Sequence, residues 1–164
     1  MSNERRQFNK KYVNGRKGNG KSIDCSGLID SGNPEYWSAK ATTPCRVGTC
    51  GKGTEQQLSL LENTNHEGIK EPNELKKGDV AFFTGSDGAM EHVVQVTGAP
   101  VLNADKQLVV PIASASSVSG KSGVSRLILT AGKNGRYSYG FKDKQGKTRV
   151  QYFLAAGTPE PPKE

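Results

Sequence analysis

No apolar run in this chain approaches the roughly 18 residues that a membrane-spanning helix needs, so stable membrane insertion is not expected. The first 21 residues are polar and basic and lack the apolar centre of a secretory leader, so no signal peptide is expected there. Histidine is nearly missing, with only His66 and His92, and there are three cysteines, Cys25, Cys45 and Cys50. Cys45, Cys50, His66 and His92 do not show the paired spacing of a zinc site, and no metal or other cofactor is expected. Acidic side chains are outnumbered, 16 against 23 Lys and Arg, for a formal net charge of +7. Aromatics make up only 7%, and no aromatic-bearing motif of a nucleic-acid binder accompanies that charge, so no nucleic-acid partner is expected.

What is present fits one domain. At 164 residues the chain can bury a core, although 20 glycines call for much loop. Residues 1–156 are read as a single catalytic domain and 157–164, with three prolines, as a disordered tail. Within 1–21, seven basic residues face one acidic residue, Glu4, so nearly all of the net charge sits in this arm. Such an arm attracts nucleic acid, anionic lipid or an anionic wall polymer, or is simply solvated. Cys45 and Cys50 lie in a loop-like stretch. In an oxidising compartment they could pair and leave Cys25 unpaired; in the cytosol all three would be thiols.

The order of elements is helices first and strands second. Phe8 and Tyr12 share a face of a short helix expected over 4–13. A second helix starts at Cys25 and is stopped by Gly32 and Pro34. A long irregular stretch covers 35–53, and Thr54 with Gln57 reads as a capping box opening a helix to about Asn63, with Leu58 and Leu61 inside. Strands are predicted at 80–83, 91–98, 107–113, 124–130, 136–141 and 149–154, with hairpin turns at 132–135 and 143–146. This order predicts an α+β fold.

Chemistry centres on Cys25. A free thiol, with a pKa of about 8.5, is largely protonated at neutral pH. The unpaired N–H groups of a helix start favour the thiolate, and the small Ser26 and Gly27 would leave the sulfur reachable. A thiolate nucleophile needs a base that also protonates the leaving amine. His92, opening a predicted strand, is the better placed of the two histidines. A third group would orient the imidazole, either the Ser114 hydroxyl or a backbone carbonyl between 113 and 115.

Three blocks of residues then carry a family resemblance. Asp24-Cys25-Ser26-Gly27-Leu28-Ile29 resembles the nucleophile motif of the NlpC-type cell-wall cysteine peptidases. Leu75-Lys76-Lys77-Gly78-Asp79-Val80-Ala81-Phe82-Phe83 resembles their Leu-Lys-Pro-Gly-Asp-x-x-Phe-Phe segment, and His92 to Gly98 the strand bearing their general base. Tyr12 stands where the family often has a substrate-contacting tyrosine, although the tryptophan and second glycine of that motif are missing. The stretch matching their His-Ala-Ser-Ser reads Ser114-Ala115-Ser116-Ser117, which leaves the third catalytic side chain open.

The resemblance implies a papain-like, NlpC-like fold, with N-terminal helices packed on an antiparallel sheet. It implies hydrolysis of an amide bond in the peptidoglycan stem peptide, commonly between γ-D-glutamate and a diamino acid. Cys25 and His92 would be catalytic, with Ser114 third. Tyr12, Asp24 and Ser26 would contact substrate, and the Cys25 N–H would help form an oxyanion hole. Small size and the absence of a wall-binding module look most like the amidase effectors delivered by type VI secretion, with a phage or prophage lysis enzyme next. On that reading the protein is made in the cytoplasm, acts in the periplasm or cell wall, and leaves room for an immunity protein as partner. Two other readings stand beside it: a catalytically silent binding protein on the same scaffold, holding an anionic wall polymer or a protein, and a nucleic-acid binder driven by residues 1–21.

Overall fold

The computed structural model of the protein describes residues 11–12, 22–23, 25–33, 36–37, 57–58, 60–62, 70–115, 122–143 and 145–159. Two short strands, β1 (Lys11–Tyr12) and β2 (Ser22–Ile23), pair in parallel and lead into the helix α1 (Cys25–Gly32). After a 3-10 turn at Pro72–Glu74 come β3 (Val80–Thr84), β4 (Met90–Val96), β5 (Val101–Leu102), β6 (Leu108–Ala115), β7 (Ser122–Ala131), β8 (Tyr137–Lys142) and β9 (Thr148–Gly157). Their order in the sheet is β4-β3-β9-β8-β7-β6-β5, and a further pairing of β6 with β4 joins six of the strands into a closed antiparallel barrel.

This architecture corrects the expected fold. The described structure is mostly antiparallel β with a closed barrel and little helix, not a papain-like α+β domain of helices packed on an open sheet. The physical reason is closure. β9 returns to pair with β3 along the whole of β3, and β6 meets β4 through Gln95–Ala113 and Val96–Ile112. Both pairings join segments far apart in sequence, and closing a sheet removes edges that would otherwise be left unpaired. Lys11 and Tyr12, expected in a helix, are in a strand; the rest of the helix expected over 4–13 lies outside the described residues. Residues 57–58 and 60–62 are helical as expected, with Leu60 and Leu61 buried and Leu58 partly buried.

Strand alternation gives the barrel an inside and an outside. Ala81, Phe83, Val94, Val96, Leu108, Val110, Ile112, Leu129 and Phe153 fill the interior. Phe83 is its hub, with its ring edge-on to those of Tyr139 at 5.2 Å and Phe153 at 5.9 Å. On the outside, Val80, Phe82 and Val93 pack against Cys25, Ile29, Trp37, Leu60 and Leu61. Cys25, Leu28 and Ile29 recur at helical spacing, so α1 turns one buried face to the wall formed by β4 and β6. The hairpin turns fall where expected, with Gly135 and Gly146 at φ of +77° and +76°, a conformation open to glycine at little cost.

Candidate functional site

The base of the barrel wall is fixed by a buried ion pair. The Asp79 carboxylate accepts from Lys70 Nζ at 3.1 Å, from the Lys76 N–H at 3.0 Å and from the Thr158 hydroxyl at 2.7 Å. Asp79 is fully buried and Lys70 is 8% exposed. The motif Leu75 to Phe83 therefore does structural work here: Gly78 turns the chain at φ of +97°, and Asp79 ties the start of β3 to the chain before it and to the end of β9.

The other end of β3 and β4 carries the candidate chemistry. Cys25 is the first residue of α1, and its cysteine is a thiol rather than half of a disulfide. It is 8% exposed and packs among Ile29, Trp37, Phe82 and Val93. Gly27 is buried as well, so the open approach to the sulfur expected from small neighbours is not what the described residues form. The helix face that presents Cys25 is the face that packs on the barrel, and this is why the residue is covered.

His92 lies on β4 directly opposite Phe83 of β3. Paired residues of an antiparallel ladder share a face, so His92 points to the barrel interior while Val93, which touches the Cys25 cluster, points outward. Thiol and imidazole thus flank one strand from opposite faces. They could meet only beyond Gln95–Ala113, where β4 and β6 cease to pair; α1 packs against both of these strands. Ser114 follows Ala113 on β6, is buried, and by alternation shares the inner face with Ile112. In continued register it would sit diagonally from His92. Among the described residues no side-chain hydrogen bond joins the two.

Burial is the cause of the one large shift at this site. Desolvation pulls the His92 imidazole down from 6.5 to about 4, so the ring is neutral at pH 7 and able to accept a proton. The sign of the stability effect follows. Between pH 6.5 and about 4 the unfolded chain takes up a proton that the folded chain refuses. The contribution is therefore whole above pH 6.5 and lost as pH falls through that window, on the order of 2–3 kcal/mol. Urea midpoints at pH 7 and pH 4.5 check this: the drop is expected to be larger in the wild type than in His92→Gln, and equal drops would refute it.

The backbone of Tyr12 pairs with Ile23, two positions before Cys25, so β1 and β2 bring that residue to the start of α1. Ser26 belongs to the first turn of α1. Asp24 lies outside the described residues, as do Cys45, Cys50 and His66. No cluster of His, Cys, Asp and Glu suited to a metal occurs among the described residues.

Three neighbours were not anticipated from the sequence. The β3–β4 register passes from Phe83–His92 to Thr84–Met90, leaving Glu91 as an extra residue in a bulge. Its carboxylate accepts from Gln151 Nε2 at 3.0 Å, and the Gln151 carbonyl oxygen accepts from the Tyr139 hydroxyl. Desolvation first, then the charge of Glu91, then that of Cys25 push the Tyr139 pKa upward. Inward-facing polar residues on β8 and β9 were the available signal. It could be used only once the barrel was known to bring those strands opposite β4.

Compared with models of protein families, with curated proteins and with solved structures, the chain matches none of them.

Proposed function

We propose that the protein is a cysteine-dependent amide hydrolase acting on the stem peptide of peptidoglycan. The observation that supports this reading best is that α1, whose first residue is Cys25, packs against β4 and β6, the strands that carry His92 and Ser114. The resemblance of residues 24–29, 75–83 and 92–98 to the NlpC-type peptidases supplies the substrate class. Cys25 attacks the carbonyl carbon, forming a carbon–sulfur bond. His92, neutral at working pH, takes the thiol proton as attack proceeds and returns it to the departing amine. Water then hydrolyses the thioester, releasing the acid and restoring the thiol. Delivery by a type VI system, with a cognate immunity protein, fits this chemistry. The test is mass spectrometry of purified peptidoglycan after incubation with the protein. New amine and carboxylate ends within the stem peptide are expected, and an unchanged muropeptide profile would overturn the reading.

The burial of Cys25 favours a second reading, a catalytically silent protein that holds a wall polymer or a protein partner. The rate of Cys25 alkylation separates the two. A nucleophile is expected to react faster with iodoacetamide than the other cysteines do, whereas a silent core thiol would react more slowly.

A further inference from the structure

At the end of the barrel where β4 carries His92 runs a chain of hydrogen bonds that the hydrolytic scheme does not use. Its polarity is fixed by chemistry. The Glu91 carboxylate can only accept, so it takes the amide N–H of Gln151. Gln151 then has its carbonyl left to offer Tyr139, and the Tyr139 hydroxyl spends its one proton there. The phenolic oxygen is left with lone pairs only. This end of the barrel therefore offers a carboxylate and a phenolic oxygen as acceptors, and Arg136 on the same rim is engaged with the Thr84 hydroxyl and the Tyr152 ring.

The arrangement is built rather than incidental. The bulge between Phe83 and Thr84 re-aims Glu91. A Cβ at Gly85 would meet only the far end of the Glu91 side chain, which is exposed and can swing aside. Tyr139 is locked from behind by the ring of Phe83 at 5.2 Å. Arg149 is bound to Asp143 at 2.8 Å while the charge of Glu91 also acts on it, and among the described residues Glu91 makes no close ion pair.

We infer that Tyr139, Gln151 and Glu91 form a subsite for an N–H-donating, positively charged group of the substrate, a primary ammonium flanking the scissile bond. The inference rests on the hydrolase reading for its substrate but is tested by binding alone. The probes are the tripeptide L-Ala-γ-D-Glu-L-Lys and its Nε-acetyl counterpart, titrated calorimetrically into the full chain carrying Cys25→Ala. The free amine is expected to bind about tenfold more tightly, as one charge-assisted hydrogen bond implies. Adding Glu91→Gln, at an exposed position, is expected to cut that preference below about threefold. Tyr139→Phe, which keeps the ring against Phe83, is expected to do the same. Equal binding of the two peptides, binding of neither, or a preference that survives both substitutions overturns the subsite. A preserved preference in a chain whose wild type releases no peptide from peptidoglycan would overturn the hydrolase reading and leave the subsite standing.

Discussion

Replacing Cys25 with alanine is expected to lower peptide release from peptidoglycan by at least about 10³-fold, because no other group in the scheme can form the acyl intermediate. The same change is expected to cost the fold only about 1 kcal/mol. Alanine keeps the Cβ and removes a single sulfur from the cluster around Ile29, Trp37, Phe82 and Val93. The two readouts must part company: near-wild-type urea midpoints with activity gone. Undiminished release by Cys25→Ala would end the nucleophile assignment. A collapse of stability with activity per folded molecule intact would make Cys25 core filler. Serine at this position separates the cases further. It places a hydroxyl in an apolar cluster and should destabilise more than alanine, yet it should not restore the activity that a thiolate provides.

The β half of the molecule was legible because its signals are local. Val80 to Phe83, the β-branched run after His92, and the turns at Gly135 and Gly146 each declare a strand or a hairpin within a few residues. Closure was not legible. Nothing within Thr148–Gly157 names β3 as its partner, and nothing in Leu108–Ala115 says that its end will meet Gln95 and Val96. An α+β reading assumed an open sheet with helices laid on it. Once β6 meets β4, the interior is filled by the strands' own side chains, and α1 is left to cover the outer face of one seam.

Of the candidate site, residue type and order were legible and side-chain direction was not. Cys25, His92 and Ser114 could be selected by residue type and order, and the barrel brings their elements together. Which face each side chain takes depends on register. Phe83 opposite His92 turns the imidazole inward, and the helical spacing of Cys25, Leu28 and Ile29 turns the thiol toward the wall. Glu91, Gln151 and Tyr139 were missed because their neighbourhood exists only after a bulge and two long-range pairings have formed.

Removing the Asp79 carboxylate is expected to have the largest effect on stability of any single change outside the barrel interior. In Asp79→Ala the buried Lys70 ammonium loses the carboxylate that faces it at 3.1 Å, and the Lys76 N–H and Thr158 hydroxyl lose that acceptor. Breaking one side of a buried pair costs about 3–5 kcal/mol, a large share of the 5–15 kcal/mol that keeps a domain folded. The cost comes from the charge left behind more than from the bond lost. The double variant Lys70→Met, Asp79→Leu, which removes both charges and fills the space, should therefore recover most of it. Denaturant unfolding of the wild type, Asp79→Ala, Lys70→Met and the double variant closes the cycle, and a double variant no more stable than Asp79→Ala would refute this account. Peptide release per folded molecule should not follow these changes. Asp79 acts at the start of β3, whereas Phe83 and the His92 paired with it stand toward its far end, so the carboxylate in the glycine-aspartate motif is expected to hold the wall and not to act on a substrate.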